Sequence, residues 1–221
     1  MKFSVPITGF GDPQHPHSGC FVDYARALVS ALRTLGHEVV RPGDVWTPGH
    51  PYGRPIVFGA QITASLDVPG DAGSFMPGDA ILYNSEQTGA RGSDEKLIFD
   101  AIQTWRERVI WDYAETNAAA LRRLGAKRVV MCPVAYDPVM TRIAPLEPNR
   151  EDIDVLFYGS LETPIRIAGM RKAGIRVLDR AALLADLRQA GLNVSYQFGV
   201  YGTDLDPYIA RAKVVLNLHY Y

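Results

Sequence analysis

The sequence predicts an α/β protein built from two consecutive parallel-sheet units. Short apolar runs alternate with amphipathic stretches, a proline-punctuated polar segment divides the chain, and glycines close most helix-like stretches. The run from Lys2 to Gly9 reads as a first strand. Gly19 to Leu35 follows as a helix, with Phe21, Ala25, Leu28, Leu32 and Leu35 at helical spacing and Gly36 at its end. His37 to Arg41 is a second strand, Pro42 to Arg54 a long Pro- and Gly-rich loop, and Pro55 to Ala60 and Asp79 to Tyr83 two further strands. A capping-type start at Ser93 opens a helix ending near Arg106. Arg108 to Trp111 is short and apolar, Glu115 to Leu124 is helical and closed by Gly125, and Lys127 to Val134 is a strand.

Residues 1–140 therefore form a first doubly wound lobe, and residues 141–151 a linker with Pro145 and Pro148. Residues 152–221 begin a second lobe. Its elements are a buried-strand run from Ile153 to Tyr158, a helix from Arg180 to Ala190, and a strand from Asn193 to Phe198. A short helix from Asp204 to Ala212 and a strand from Val214 to His219 complete it. Leu161 to Asp179 is compatible with a helix or with short strands around Gly174. A second lobe this small is marginal alone. It requires packing on the first lobe, pairing with another copy as a homo-oligomer, or a further C-terminal part, and the last is the expectation we adopt.

Composition narrows the function classes. The chain has 221 residues, 47% hydrophobic and 21% charged, enough for a core without disulfides or structural metal. A net charge of −1 gives no support to a nucleic-acid or anionic-membrane partner. Arg106, Arg108, Arg122, Arg123, Lys127 and Arg128 read as a solvated helix face and loop rather than a basic binding patch. Cys20 and Cys132 match no zinc or redox spacing, and both are expected to be small buried thiols. No secretory signal and no apolar run of membrane-spanning length is present, so a cytoplasmic protein without a membrane span is expected.

Ligands of open α/β sheets bind beyond the carboxyl ends of the strands, which directs attention to four loops. The loop from Thr8 to Ser18 holds Gly9, Gly11, Asp12, His15 and His17. Its glycines admit close backbone approach, and the helix after it offers N–H groups to an anion. His17 or His15 is a candidate base for an acceptor hydroxyl, with Asp12 as orienting carboxylate, and an incidental surface loop is the alternative. No third metal ligand accompanies the two histidines, so no metal site is assigned. After Tyr83 come Asn84, Ser85, Glu86 and Gln87, suited to a hydroxyl-rich ligand or to a helix N-cap, with Glu86 the second candidate base. Asp112, between Trp111 and Tyr113 and near Asn117, either caps the following helix or meets a ligand. In the second lobe, Gly159-Ser160 and Gly199 to Thr203 are glycine turns after strands, able to face phosphates or to serve as tight turns.

Taken in order, "YNSEQ", "VIWDYAETNAAALRRLGA", "VVMCPVAYDP", "DIDVLFYGS" and "GVYGTDLDPYIARAKVVLNLHYY" resemble bacterial glycosyltransferase-like proteins related to family-one and family-four GT-B enzymes. The resemblance runs from about Asn84 to Tyr221, with gaps. It implies two facing Rossmann-like (GT-B-like) lobes, the second small or incomplete, with acceptor in the first and nucleotide-diphosphate sugar in the second. It further implies Gly159 and Ser160 at the donor phosphates, Gly202 and Thr203 near the nucleotide, and Asn217, His219 and Tyr220 facing the cleft. Gly11, Asn84, Asp112 and Asn117 would contribute to substrate binding. The segment after "YGS" is longer and more apolar than the arginine-rich turn of that family, and Arg166, Arg171 or Lys172 are the cations there that could reach a phosphate. The resemblance implies no cofactor and no metal, the donor sugar being a substrate. The alternative expectation is a catalytically incomplete GT-B-like protein that binds a nucleotide or a partner. A nucleotide-sugar epimerase or dehydrogenase is disfavoured by the lack of G-x-G-x-x-G.

Overall fold

The computed structural model describes residues 1–7, 16–40, 53–60, 78–85, 106–144, 146–147, 150–161, 164–172, 174 and 178–218. The chain divides into two compact units, Met1–Met140 and Thr141–Tyr221. Both are mixed α/β with parallel strands.

The first unit carries a six-stranded sheet in the order β2-β1-β3-β4-β5-β6. Its strands are β1 (Lys2–Ser4), β2 (Glu38–Val39), β3 (Arg54–Phe58), β4 (Ile81–Asn84), β5 (Val109–Asp112) and β6 (Arg128–Met131). Every pairing is parallel. Because β2 lies on one side of β1 and β3 on the other, the order reverses at β1, the point beside which open α/β sheets leave a crevice.

Strand alternation splits the core in two. Ile56, Phe58, Ile81 and Tyr83 face the helix α1 (Val22–Thr34), whose Ala25, Val29 and Leu32 are buried at i, i+4, i+7 spacing. Val57, Leu82 and Ile110 turn to the opposite face, where Leu121 of helix α2 (Glu115–Arg123) meets them. A slip of one residue in any of these strands would exchange the two faces, so the register is fixed by burial on both sides. A 3-10 turn over Pro16–Phe21 leads into α1. The helix stops at Gly36, whose φ of 81° lets its N–H reach the Arg33 carbonyl and that of His37 the Leu32 carbonyl.

The second unit has a three-stranded parallel sheet, β8-β7-β9, made of β7 (Ile153–Tyr158), β8 (Val194–Gln197) and β9 (Ala212–Leu216). Helices α3 (Pro164–Lys172), α4 (Arg180–Gln189) and α5 (Asp206–Arg211) accompany it. Val155, Phe157, Leu184 and Val194 form its core. Arg142 holds α5 through a two-pronged bond to Asp206, with Nε–Oδ2 and Nη2–Oδ1 both 2.7 Å. The segment open to a helix or strands contains α3. The expected helix from Asp204 is divided, a 3-10 turn over Gly202–Asp204 preceding α5.

The expected burial of Cys20 is corrected, as is the first strand, which ends at Ser4 because Pro6 interrupts the ladder. Cys20 is exposed on the 3-10 turn ahead of α1, because the helical stripe that enters the core begins at Phe21 and continues through Ala25. Cys132 is half-buried, and burial pushes its thiol up. Among the described residues, no helix is long and apolar enough to cross a membrane.

Candidate functional site

In the first unit the carboxyl ends of β4 and β5 bring together Asn84, Asp112 and Asn117. Asn84 and Asp112 are partners across the two strands. The Asn84 Nδ2 donates to Asp112 Oδ2 at 2.7 Å, and the Ala114 N–H to Oδ1 at 2.9 Å. Asn117 and the Tyr113 N–H also donate to this carboxylate. Asp112 is fully buried and Asn117 nearly so. Loss of water raises the Asp112 pKa, and the Asn84, Ala114, Asn117 and Tyr113 donors oppose that rise. The carboxylate accepts from the residue before α2 in an Asx turn, while the helix N-cap, Ala114, makes no side-chain cap bond.

Alongside lies Tyr83, stacked on Phe58 with ring centroids 4.6 Å apart. Its hydroxyl donates to the Cys132 carbonyl at 2.8 Å. Burial, with smaller contributions from Cys132 and Asp112, raises the phenol well above its ordinary value, so Tyr83 stays protonated. The bond ties the centre of the sheet to the chain that leaves β6.

Two hydroxyls at the same end of this sheet are left over. Ser18 lies in the 3-10 turn after β1 and is 1% exposed, and Ser85 follows β4 directly. Neither Oγ has a hydrogen-bond partner among the described residues. A buried hydroxyl without a partner costs on the order of 1–3 kcal/mol, so such groups call for an explanation, of which a bound polar ligand is one.

In the second unit the carboxyl ends of β7 and β9 are joined by Arg180. This residue opens α4 after Asp179, whose side chain accepts the Ala182 N–H at 3.0 Å as N-cap. Arg180 is 8% exposed. Its Nη1 donates to the Ser160 carbonyl at 3.0 Å, its Nη2 donates to the Leu218 carbonyl, and its guanidinium lies 5.6 Å from the Phe157 ring centre. Gly159 turns the chain off β7 with φ of 135°, a conformation that glycine adopts without strain. Ser160 is exposed beyond it.

The other sequence candidates distribute as follows. Gly202 is buried and Thr203 exposed in the 3-10 turn before α5, and Asn217 is exposed just after β9. His17 belongs to the Pro16–Phe21 turn. Gly11, Asp12, His15, Glu86, His219 and Tyr220 lie outside the described residues, as does the helix expected from Ser93. Arg171 and Lys172 are exposed in the last turn of α3. Sequence reasoning missed Arg180. A signal was present: a cation in the first turn of a helix opposes the helix dipole, so its position there calls for a tertiary partner. Among the described residues, no group of His, Cys, Asp and Glu could hold a metal ion.

No protein-family model matches the sequence, and no curated protein matches it. Among solved structures, the crystal structure of Anabaena Alr3699/HepE in complex with UDP is similar to this chain, with a TM-score of 0.44 and 11% sequence identity, covering 97% of this chain and 73% of that one.

Proposed function

We propose that the chain serves sugar transfer from a nucleotide-diphosphate donor to an acceptor hydroxyl, with His17 or His15 as base, Glu86 as the second candidate and Asp12 orienting. The observation that carries the reading is the pair of serine hydroxyls, Ser18 and Ser85, that have no partner among the described residues, at the carboxyl end of a parallel sheet whose order reverses at β1. Hydroxyl-rich ligands satisfy such groups, and this is the end at which doubly wound sheets bind them. The sequence resemblance supplies the reaction class. In the second unit, the Gly159–Ser160 turn held by Arg180 is the part we assign to the donor diphosphate, with Gly202, Thr203, Asn217 and His219 toward the nucleotide. The acceptor attacks the anomeric carbon, its proton passes to the base, and the nucleoside diphosphate leaves.

A panel of nucleotide-diphosphate sugars tested by thermal shift, with free nucleoside diphosphate measured in parallel, examines this directly. The expected result is stabilisation by one donor class and slow release of its nucleoside diphosphate. Gly159→Ala is expected to weaken the stabilisation, because a side chain is strained at φ of 135° in the turn assigned to the donor diphosphate. Absence of stabilisation by every donor would overturn the reading. The second reading, a binding protein without turnover, is favoured by the inward use of Asp112 and Asn84, which withdraws two polar groups from the ligand side. Donor binding with no release across a panel of acceptors would select it.

A further inference from the structure

A separate cavity of about 180 Å³ lies within the first unit, between α1 and the chain that leaves β6. One stripe of α1 lines it at i, i+3, i+4, i+7 spacing, from Tyr24 to Ala31, and the small side chains of Ala27 and Ala31 make the space. Phe58 and Tyr83, the stacked pair at the ends of β3 and β4, also line it. Tyr136, 74% exposed, and Tyr24, 42% exposed, supply two further rings with solvent access. Asp137 provides a carboxylate, fixed by the Val139 N–H donating to its Oδ1 at 2.9 Å. Among the described residues, no Lys, Arg or His lines the cavity.

Size and charge together select an occupant. A cavity of about 150 Å³ accepts a benzene-sized molecule, so this one holds a group of similar bulk. An anion would gain nothing from four aromatic side chains and a carboxylate and would lose its water. An apolar neutral group would gain burial alone. An alkylated cation gains burial for its methyl groups among four aromatic side chains, and the Asp137 charge. Tyr83 stays neutral, its hydroxyl committed to the Cys132 carbonyl.

We propose that this cavity is a binding site for a small quaternary or alkylated ammonium group. The inference stands on unit 1 geometry and does not depend on the sugar-transfer reading.

Choline and neohexyl alcohol, its uncharged carbon isostere, test it on the full chain by NMR titration at matched ionic strength. The cation is expected to bind about tenfold more tightly than the isostere. Asp137→Asn keeps the acceptor for the Val139 N–H and removes the charge, so it should weaken choline several-fold and leave the isostere unchanged. Tyr136→Ala, at an exposed position, should weaken both. Ala31→Leu, on the exposed side of α1, should fill the space and abolish both. Equal affinity for choline and isostere overturns the proposal. So does binding of neither, or a choline affinity that none of the three substitutions changes.

Discussion

Asn84 and Asp112 face each other across β4 and β5, and the Asn84 amide donates to the Asp112 carboxylate at 2.7 Å. The pair closes the tips of two central strands with a bond from a neutral donor to a fully buried acid. Such a carboxylate is tolerated only because several donors converge on it.

Asp112→Asn puts an amide NH₂ where an acceptor oxygen stood, against donors that then have no acceptor. The expected loss is about 1–3 kcal/mol in urea unfolding. The pH dependence has a definite sign. Since burial raises the Asp112 pKa, its contribution is complete below the ordinary value of 3.8 and is lost as pH rises through the raised one. The stability gap between native protein and Asp112→Asn should therefore narrow on going from acid to neutral pH. A gap that widens would show that the donors outweigh the loss of water.

Tyr83→Phe removes one hydroxyl and leaves the Cys132 carbonyl without that donor. A loss of about 1 kcal/mol is expected, with the ring stack on Phe58 retained. Hydrogen exchange should quicken between Cys132 and Met140, downstream of β6, and remain unchanged in β3.

Arg180→Lys keeps the charge but cannot span two carbonyls with one ammonium. The Ser160 and Leu218 carbonyls lose their common donor, and the second unit should be destabilised by about 1.5–3 kcal/mol, the range for hydrogen bonds made by charged groups. If the Gly159 turn serves a donor ligand, affinity for that ligand should fall as well. Unfolding of the variant at the native midpoint would show that Lys suffices.

Acid should act on the second unit in the opposite sense from its action on Asp112. Asp152 pairs with Arg211 through bonds of 2.7 and 2.5 Å, Asp154 pairs with Lys213 at 2.7 Å, and these bonds lower both carboxyl pKa values. Their contribution is present above 3.8 and is lost as pH falls through the lowered values. The double variant Asp152→Asn, Asp154→Asn should lose stability at neutral pH and respond less to acid than the native protein below pH 3.8, the ordinary aspartate value. An unchanged acid response would mean that solvent screening erases both pairs.

The architecture was legible because apolar periodicity and helix-stopping glycines are local signals. Ile56, Val57 and Phe58 announce a strand buried on both faces, and Gly36 a helix end, without reference to anything distant. Strand limits were read too long at β1, where Pro6 interrupts the ladder and Ile7 makes only a bridge to Phe58. The site was less legible, since its bonds join residues far apart in sequence. Nothing near Asp112 in the chain reveals that Asn84 will supply its donor, and nothing near Tyr83 points to Cys132. Arg180 illustrates the intermediate case: its conflict with the helix dipole is local, but the carbonyls that resolve it are not.

The short strand β1 has a practical consequence for handling the protein. Lys2 and Phe3 lie in register with Glu38 and Val39 on one flank, while Phe3 and Ser4 lie in register with Arg54 and Pro55 on the other. Trimming these residues would detach β2 from the remainder, whereas an affinity tag joined ahead of Met1 would leave from the rim opposite the loops that follow the strands. Immobilising the protein through that end should direct the tether away from the carboxyl ends of the first unit's strands.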